Sequence, residues 1–138
     1  MKKVLYAIGF FVLCSCTPKY SEHVYVSDFT KYVKSGFEIY PVGTEIKERA
    51  YYPVADIKMN FYIGKESSDA LKSGLKPVKD EQFGYIYTPT GEYITDKVAN
   101  EAKKHDANAI MNYKVDKIQT SKGALLGYSA TGVAVKIK

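Results

Sequence analysis

Between Ile94 and Ile118 the hydrophobic period of this chain changes once, and that change limits the folds open to it. Ile94, Val98 and Ala102 recur every four residues with Ala99 beside them, so a helix here carries a narrow apolar stripe of mostly small side chains. Thr95 or Asp96 supplies the N-terminal cap oxygen, and Lys103, Lys104 and His105 suit the negative end of the helix dipole. The spacing predicts a helix over about 96–105. Asp106 falls where such a helix ends in a left-handed residue. After Asp106-Ala107-Asn108 the period drops to two: Met111, Tyr113 and Val115 alternate with Asn112, Lys114 and Asp116, the pattern of a half-buried strand. A helix with small residues on its inner face, joined by a two- or three-residue turn to a strand, packs closely on a sheet.

The other segments supply that sheet. Ala55, Ile57, Met59, Phe61 and Ile63 alternate with Asp56, Lys58, Asn60 and Tyr62, which predicts a central strand. Leu126–Lys138 reads as a last strand with Val133, Val135 and Ile137 inward, Lys136 and Lys138 outward, and Gly127 and Gly132 marking bends or a bulge. Thr120–Gly123 is the hairpin joining it to the strand before. Ser27 or Asp28 caps a two-turn helix over about 28–35, closed by Gly36 with Phe37 packing back, and Phe37–Tyr40 is extended up to Pro41. Ile46–Tyr52 reads as an irregular strand, Ser67–Gly74 as a short helix, Lys76–Gln82 as a polar connection, Phe83–Tyr87 as extended and Pro89-Thr90-Gly91 as a turn. The expected fold class is α+β: a mainly antiparallel sheet with the helix near 96–105 on one face and a short N-terminal helix.

The first sixteen residues address the chain. Lys2 and Lys3 precede an apolar run from Val4 to Leu13, which is right for a signal-peptide core and about half the roughly 20 residues that span a bilayer. Leu13-Cys14-Ser15-Cys16 resembles the bacterial lipobox, with Cys14 a less usual small residue. The resemblance implies a leader over 1–15, removal of Cys14 with it, and Cys16 as the acylated first residue. Residues 16–27 are then a lipidated tether and 28–138 one domain. No thiol remains in that domain, so its core must hold it together, which about 110 residues can do. Losing Lys2 and Lys3 from the 20 basic residues leaves 18 against 15 acidic ones, a net charge of +3, and with lysines scattered singly this argues against nucleic acid.

Two further likenesses appear. Asp28-Phe29-Thr30-Lys31-Tyr32 followed by Gly36-Phe37 resembles uncharacterised lipoproteins of Bacteroidales. Ala107-Asn108-Ala109-Ile110 and Thr131-Gly132-Val133-Ala134-Val135 resemble the YbjQ-like domains. Those relatives usually carry Gly where this chain has Asp106. Neither motif is catalytic, the cysteines of the stress-sensing Rcs-type lipoprotein are absent, and the ligands for a heavy-metal role are missing.

No catalytic residue, metal ligand set or cofactor is expected. His23 and His105 are the only histidines and lie far apart; there is no Gly-x-Ser-x-Gly elbow and no phosphate-cradling loop. Asp69, Glu81 and Glu92 read as solvated surface. Thirteen tyrosines with no tryptophan point to a binding face that includes Tyr51, Tyr52, Tyr62, Tyr85 and Tyr87, or more simply to tyrosines filling a half-buried sheet with their hydroxyls in water. The expected function is a non-enzymatic envelope lipoprotein, held to the outer membrane by its N-terminal lipid and facing the periplasm, that binds a protein partner or assembles with itself. The alternative is a surface glycan binder.

Overall fold

The computed structural model describes Tyr20, residues 26–65 and residues 74–138. The expected leader, Cys16, most of the tether, His23, Asp69 and all but Gly74 of the helix expected over Ser67–Gly74 lie outside them. The fold is α+β. In chain order it comprises α1 (Thr30–Lys34), β1 (Glu38–Pro41), β2 (Tyr51–Tyr62), β3 (Leu75–Asp80), β4 (Gly84–Pro89), α2 (Gly91–Lys104), β5 (Ala109–Gln119) and β6 (Leu125–Ile137). A four-stranded sheet has the order β1-β5-β6-β2, and β3 with β4 makes a separate hairpin. β5, β6 and β2 are antiparallel neighbours, whereas β1 joins β5 in parallel.

Helix α2 starts a turn earlier than its apolar stripe predicts. Thr90 is its cap, the hydroxyl accepting from the Tyr93 amide at 3.1 Å, so Thr90-Gly91 opens the helix rather than closing a turn. Thr95 and Asp96 therefore lie inside the helix and cap nothing. The far end is as expected. Asp106 has φ of +60°, the Ala107 amide reaches the Ala102 carbonyl at 3.3 Å and the Asp106 amide reaches that of Lys103 at 3.1 Å, the paired bonds of a Schellman closure. α1 closes the same way around Gly36, with Phe37 to Tyr32 at 2.9 Å and Gly36 to Val33 at 3.0 Å. Phe37 is buried, as its position predicts.

The two faces of the sheet are packed differently. Under α2, Ile94, Val98, Ala99 and Ala102 meet Ile57, Ile110, Tyr113, Ala130 and Ala134 in the main core. Gly132 lies on this side as well, where a Cβ would come within 2.7 Å of Ile110. On the opposite face Ala109, Val135 and Ile137 form a second cluster with Tyr40, Ile46, Met111 and Val133. Val133, Val135 and Ile137 do point inward, but toward residues 42–50, which cross from β1 at one edge to β2 at the other. Those residues are not a strand until Tyr51, contrary to the expectation for Ile46–Tyr52.

Three local corrections follow from the geometry of the sheet. Asn112 has φ of +53° and the β5–β6 register shifts between Met111 and Lys114, so an extra residue sits in β5 opposite Gly132. Met111 and Tyr113, expected on one face, end on opposite faces: Met111 joins the second cluster and Tyr113 the main core. Asn is the residue type that tolerates this left-handed conformation best after glycine. Secondly, β2 alternates as predicted but is an edge strand, because β6 pairs with it on one side only. Thirdly, Lys76–Gln82 contains strand β3, which pairs with β4 from Leu75↔Pro89 to Asp80↔Gly84; its polar residues are compatible with a hairpin that has little to bury.

Candidate functional site

Among the described strands, β2 ends the four-stranded sheet and has β6 on one side only. The Ile63 amide donates to Leu126 of β6 at 2.9 Å, whereas Gly64 donates to the Tyr87 carbonyl at 3.2 Å and accepts from the Tyr87 amide at 2.7 Å. Past its bulge, then, β2 turns the amides and carbonyls of its odd residues to β6, and those of Asp56, Lys58, Asn60 and Tyr62 away from the sheet. The bulge lies between Pro53 and Ala55, and before it the parity is reversed, since Lys138 donates to Ala50 at 2.9 Å. Pro53 thus faces outward, where its missing N–H costs no ladder bond. At the other end Tyr87 caps Gly64, and a further bonded pair of Tyr62 with Pro89 would lack one of its two bonds because Pro89 has no N–H. Among the described residues, Asp56 to Asn60 is left as an open edge.

Beside that edge is a cleft of about 190 Å³ lined by Phe61, Tyr62, Gly64, Leu75, Tyr87 and Tyr93, among others. Phe61 and Tyr93 meet edge to face with centroids 6.3 Å apart. Gly74 lies so close to the Tyr93 ring that a Cβ would fall 2.3 Å from it. Among the described residues no carboxylate lines this cleft.

The structure divides the five tyrosines singled out from the sequence. Tyr62 and Tyr87 line the same cleft, and Tyr85 lies two residues from Tyr87 on the exposed face of the hairpin. Tyr51 and Tyr52 are at the other end of β2, roughly 35 Å away at about 3.3 Å per residue. Tyr51 lines a separate hollow with Thr44, Ile46 and Met111, while Tyr52 points to the other face with the Lys138 ammonium 6.0 Å from its ring. Phe61 and Tyr93 complete the aromatic group and have no spacing in sequence that announces it. The edge had one legible signal, Pro53 inside an apolar run, which marks a strand without a partner on that side.

Charged groups elsewhere tie elements together. Lys31 bridges Glu92 at 2.5 Å and Asp96 at 2.8 Å, and the Tyr32 hydroxyl donates to Asp96 at 2.5 Å. Burial works against the charge of Asp96, but the bonds from Lys31 and Tyr32 outweigh it and hold its carboxyl below the usual range. Burial, then the bond to Asp96, pushes the Tyr32 phenol up. This cluster borders a hollow of about 540 Å³ between residues 26–32 and the start of α2. On the other face Arg49 donates to both oxygens of Glu38 at 2.7 and 2.6 Å, and Tyr40 donates to the same carboxylate. The Arg49 guanidinium, with Tyr40 second, holds Glu38 at about 2. Asn108, in the turn between α2 and β5, clamps the Ile137 backbone by accepting at 2.7 Å and donating at 3.0 Å, a role in strand register.

Among the described residues no three His, Cys, Asp or Glu side chains gather as metal ligands, and no helix is long and apolar enough to cross a membrane. No protein-family model, no curated protein and no solved structure matches this chain.

Proposed function

We propose that this chain is a non-enzymatic bacterial envelope lipoprotein, acylated at Cys16 and held on the periplasmic side of the outer membrane, whose domain binds a protein partner or a second copy of itself. The open edge of β2 carries the binding half of this reading. Main-chain donors and acceptors without a partner among the described residues along Asp56–Asn60 suit an added strand, and an added strand is a protein. The location half rests on the basic and apolar leader and the lipobox resemblance of Leu13-Cys14-Ser15-Cys16. Two or three acyl chains, at roughly 0.8 kcal/mol per buried methylene, make such an anchor effectively permanent.

A surface glycan binder is the second reading, favoured by the aromatic group of Phe61, Tyr62, Tyr87 and Tyr93. Stacking on aromatic faces is a feature of sugar recognition, but no described residue of that lining is a hydroxyl-binding carboxylate.

Both halves are tested in living cells. A photo-crosslinking residue at Asn60, whose backbone faces outward, is expected to trap a discrete protein adduct, and the absence of any adduct overturns the binding reading. Cys16→Ala is expected to move the protein to the soluble fraction or leave its leader uncleaved. Proteinase added to intact cells is expected to spare the domain; rapid loss puts it on the surface and favours the glycan alternative.

A further inference from the structure

The open edge of β2 has a length and a charge order that select a partner. Its usable run is bounded on one side by the Pro53 bulge and on the other by the Gly64–Tyr87 bridge. Within it Asp56 and Lys58 stand on one face, both exposed, and neither forms an ion pair with any described residue. An acid and a base two apart on a free edge are self-complementary when a second copy of the strand arrives antiparallel.

We infer that two copies of this chain pair through β2 about a twofold axis at Ile57, joining their four-stranded sheets into one of eight strands. This rests on reading the β2 edge as the binding surface and names its occupant. The register follows from three observations. Outward-facing residues must meet outward-facing residues, so even positions pair with even positions and the axis can fall at residue 57, 58 or 59. An axis at Lys58 sets Lys58 directly opposite its own copy, where like charges repel. An axis at Met59 sets Val54 of the copy against Gly64, a place already taken by Tyr87. An axis at Ile57 sets Asp56 opposite Lys58 of the copy, and Lys58 opposite Asp56 of the copy. Hydrogen bonding then ends where Val54 of the copy meets Asn60, because the bulge and the missing amide of Pro53 follow, and the copy's strand itself begins at Tyr51, opposite Ile63 and short of the Gly64–Tyr87 bridge. Two ion pairs and the backbone bonds around them recur by symmetry, as an isologous interface requires.

The charge order gives a specific test on the purified full-length chain in detergent by sedimentation velocity. The parent is expected to show a monomer–dimer equilibrium. Asp56→Lys and Lys58→Asp each turn two attractive pairs into two repulsive ones, and each alone is expected to weaken the dimer by about tenfold or more. Mixing the two variants restores both pairs and is expected to give a heterodimer of parental strength, as is the double exchange Asp56→Lys/Lys58→Asp in one chain. This recovery separates pairing from any loss of folding in a single variant. A parent that stays monomeric, or single variants that dimerise like the parent, overturns the inference. The Asn60 crosslink separates the two levels: an adduct of twice the chain mass supports self-pairing, an adduct with a different protein overturns it and leaves the partner-binding reading standing, and no adduct overturns both.

Discussion

The two faces of the four-stranded sheet solve the same problem with opposite side chains. Beneath α2 the sheet presents Ala130, Gly132 and Ala134, and the helix answers with Ala99 and Ala102, so backbones come together with little between them. One residue away along β6, on the reverse face, Val133, Val135 and Ile137 are large and meet Ile46 from the irregular crossing of residues 42–50. A helix is a thick cylinder that excludes water along its whole length when it sits close. A single extended segment is thin, and bulky strand residues must fill the space it leaves. The irregular segment also lacks a hydrogen-bond ladder of its own, and the Arg49–Glu38–Tyr40 cluster fastens it to β1 instead. The lesson is that side-chain size on alternate positions of β6 reports what lies over each face.

Exchanging the sizes should break this division most severely. Ala102→Leu adds three carbons where the helix touches the sheet with no exposure at all, and is expected to cost about 3 kcal/mol by forcing the helix outward. Val135→Ala on the reverse face leaves a void that a loop can partly close, and is expected to cost about 2 kcal/mol. Denaturant unfolding of both variants measures the contrast; equal losses, or a larger one at Val135, would mean that the helix face is not the tighter of the two.

The fastening of the crossing segment is a smaller effect with a pH signature. Glu38 is held at about 2 in the fold, against its usual 4.5. A depressed carboxyl stabilises the fold above its unfolded value, so this contribution is present above about pH 4.5 and fades as the pH falls toward 2. Glu38→Gln is expected to lose about 1 kcal/mol at pH 7, a modest figure because the pair is partly open to water, and to flatten the acid limb between those values. Unchanged acid unfolding in the variant would show that Arg49 does not hold the crossing segment.

The smallest effect separates the two helix ends. Both close through a left-handed residue, Gly36 in α1 and Asp106 in α2, but only the second carries a side chain, whose carboxylate takes a bond from Lys136 at 3.0 Å. Asp106→Gly relieves backbone strain and gives up an exposed ion pair, and is expected to be neutral or stabilising by up to about 1 kcal/mol. Asp106→Val, β-branched at the same φ, is expected to destabilise by about 1–2 kcal/mol. Melting temperatures of the pair check this; a Val variant that melts with the parent would mean that the backbone there does not keep φ positive.

The candidate binding surface was only partly legible. The alternation of Asp56, Lys58, Asn60 and Tyr62 with apolar residues places them on the water-facing side of β2, but alternation is identical in an edge strand and in a central one with a single buried face. Pro53 was the one local mark of the edge. The aromatic cleft was less legible still, because Phe61, Tyr87 and Tyr93 come from three elements whose meeting depends on how the β3–β4 hairpin folds back on Gly64.

What the amino-acid order determined by itself was whatever depends on neighbours a few residues apart. The α+β class, the stripe of α2, the closures at Gly36 and Asp106, the β5–β6 hairpin around Thr120–Gly123 and the outward face of β2 are all set by local periods, caps and left-handed residues. Tertiary structure alone decided which strand became an edge, that β1 joined in parallel, that Asn112 slipped the register and sent Met111 and Tyr113 to opposite faces, and which face the helix took. Each of these turns on pairing between segments far apart in the chain, where a strand's free energy comes from the partner it meets and its own sequence reads the same with either partner.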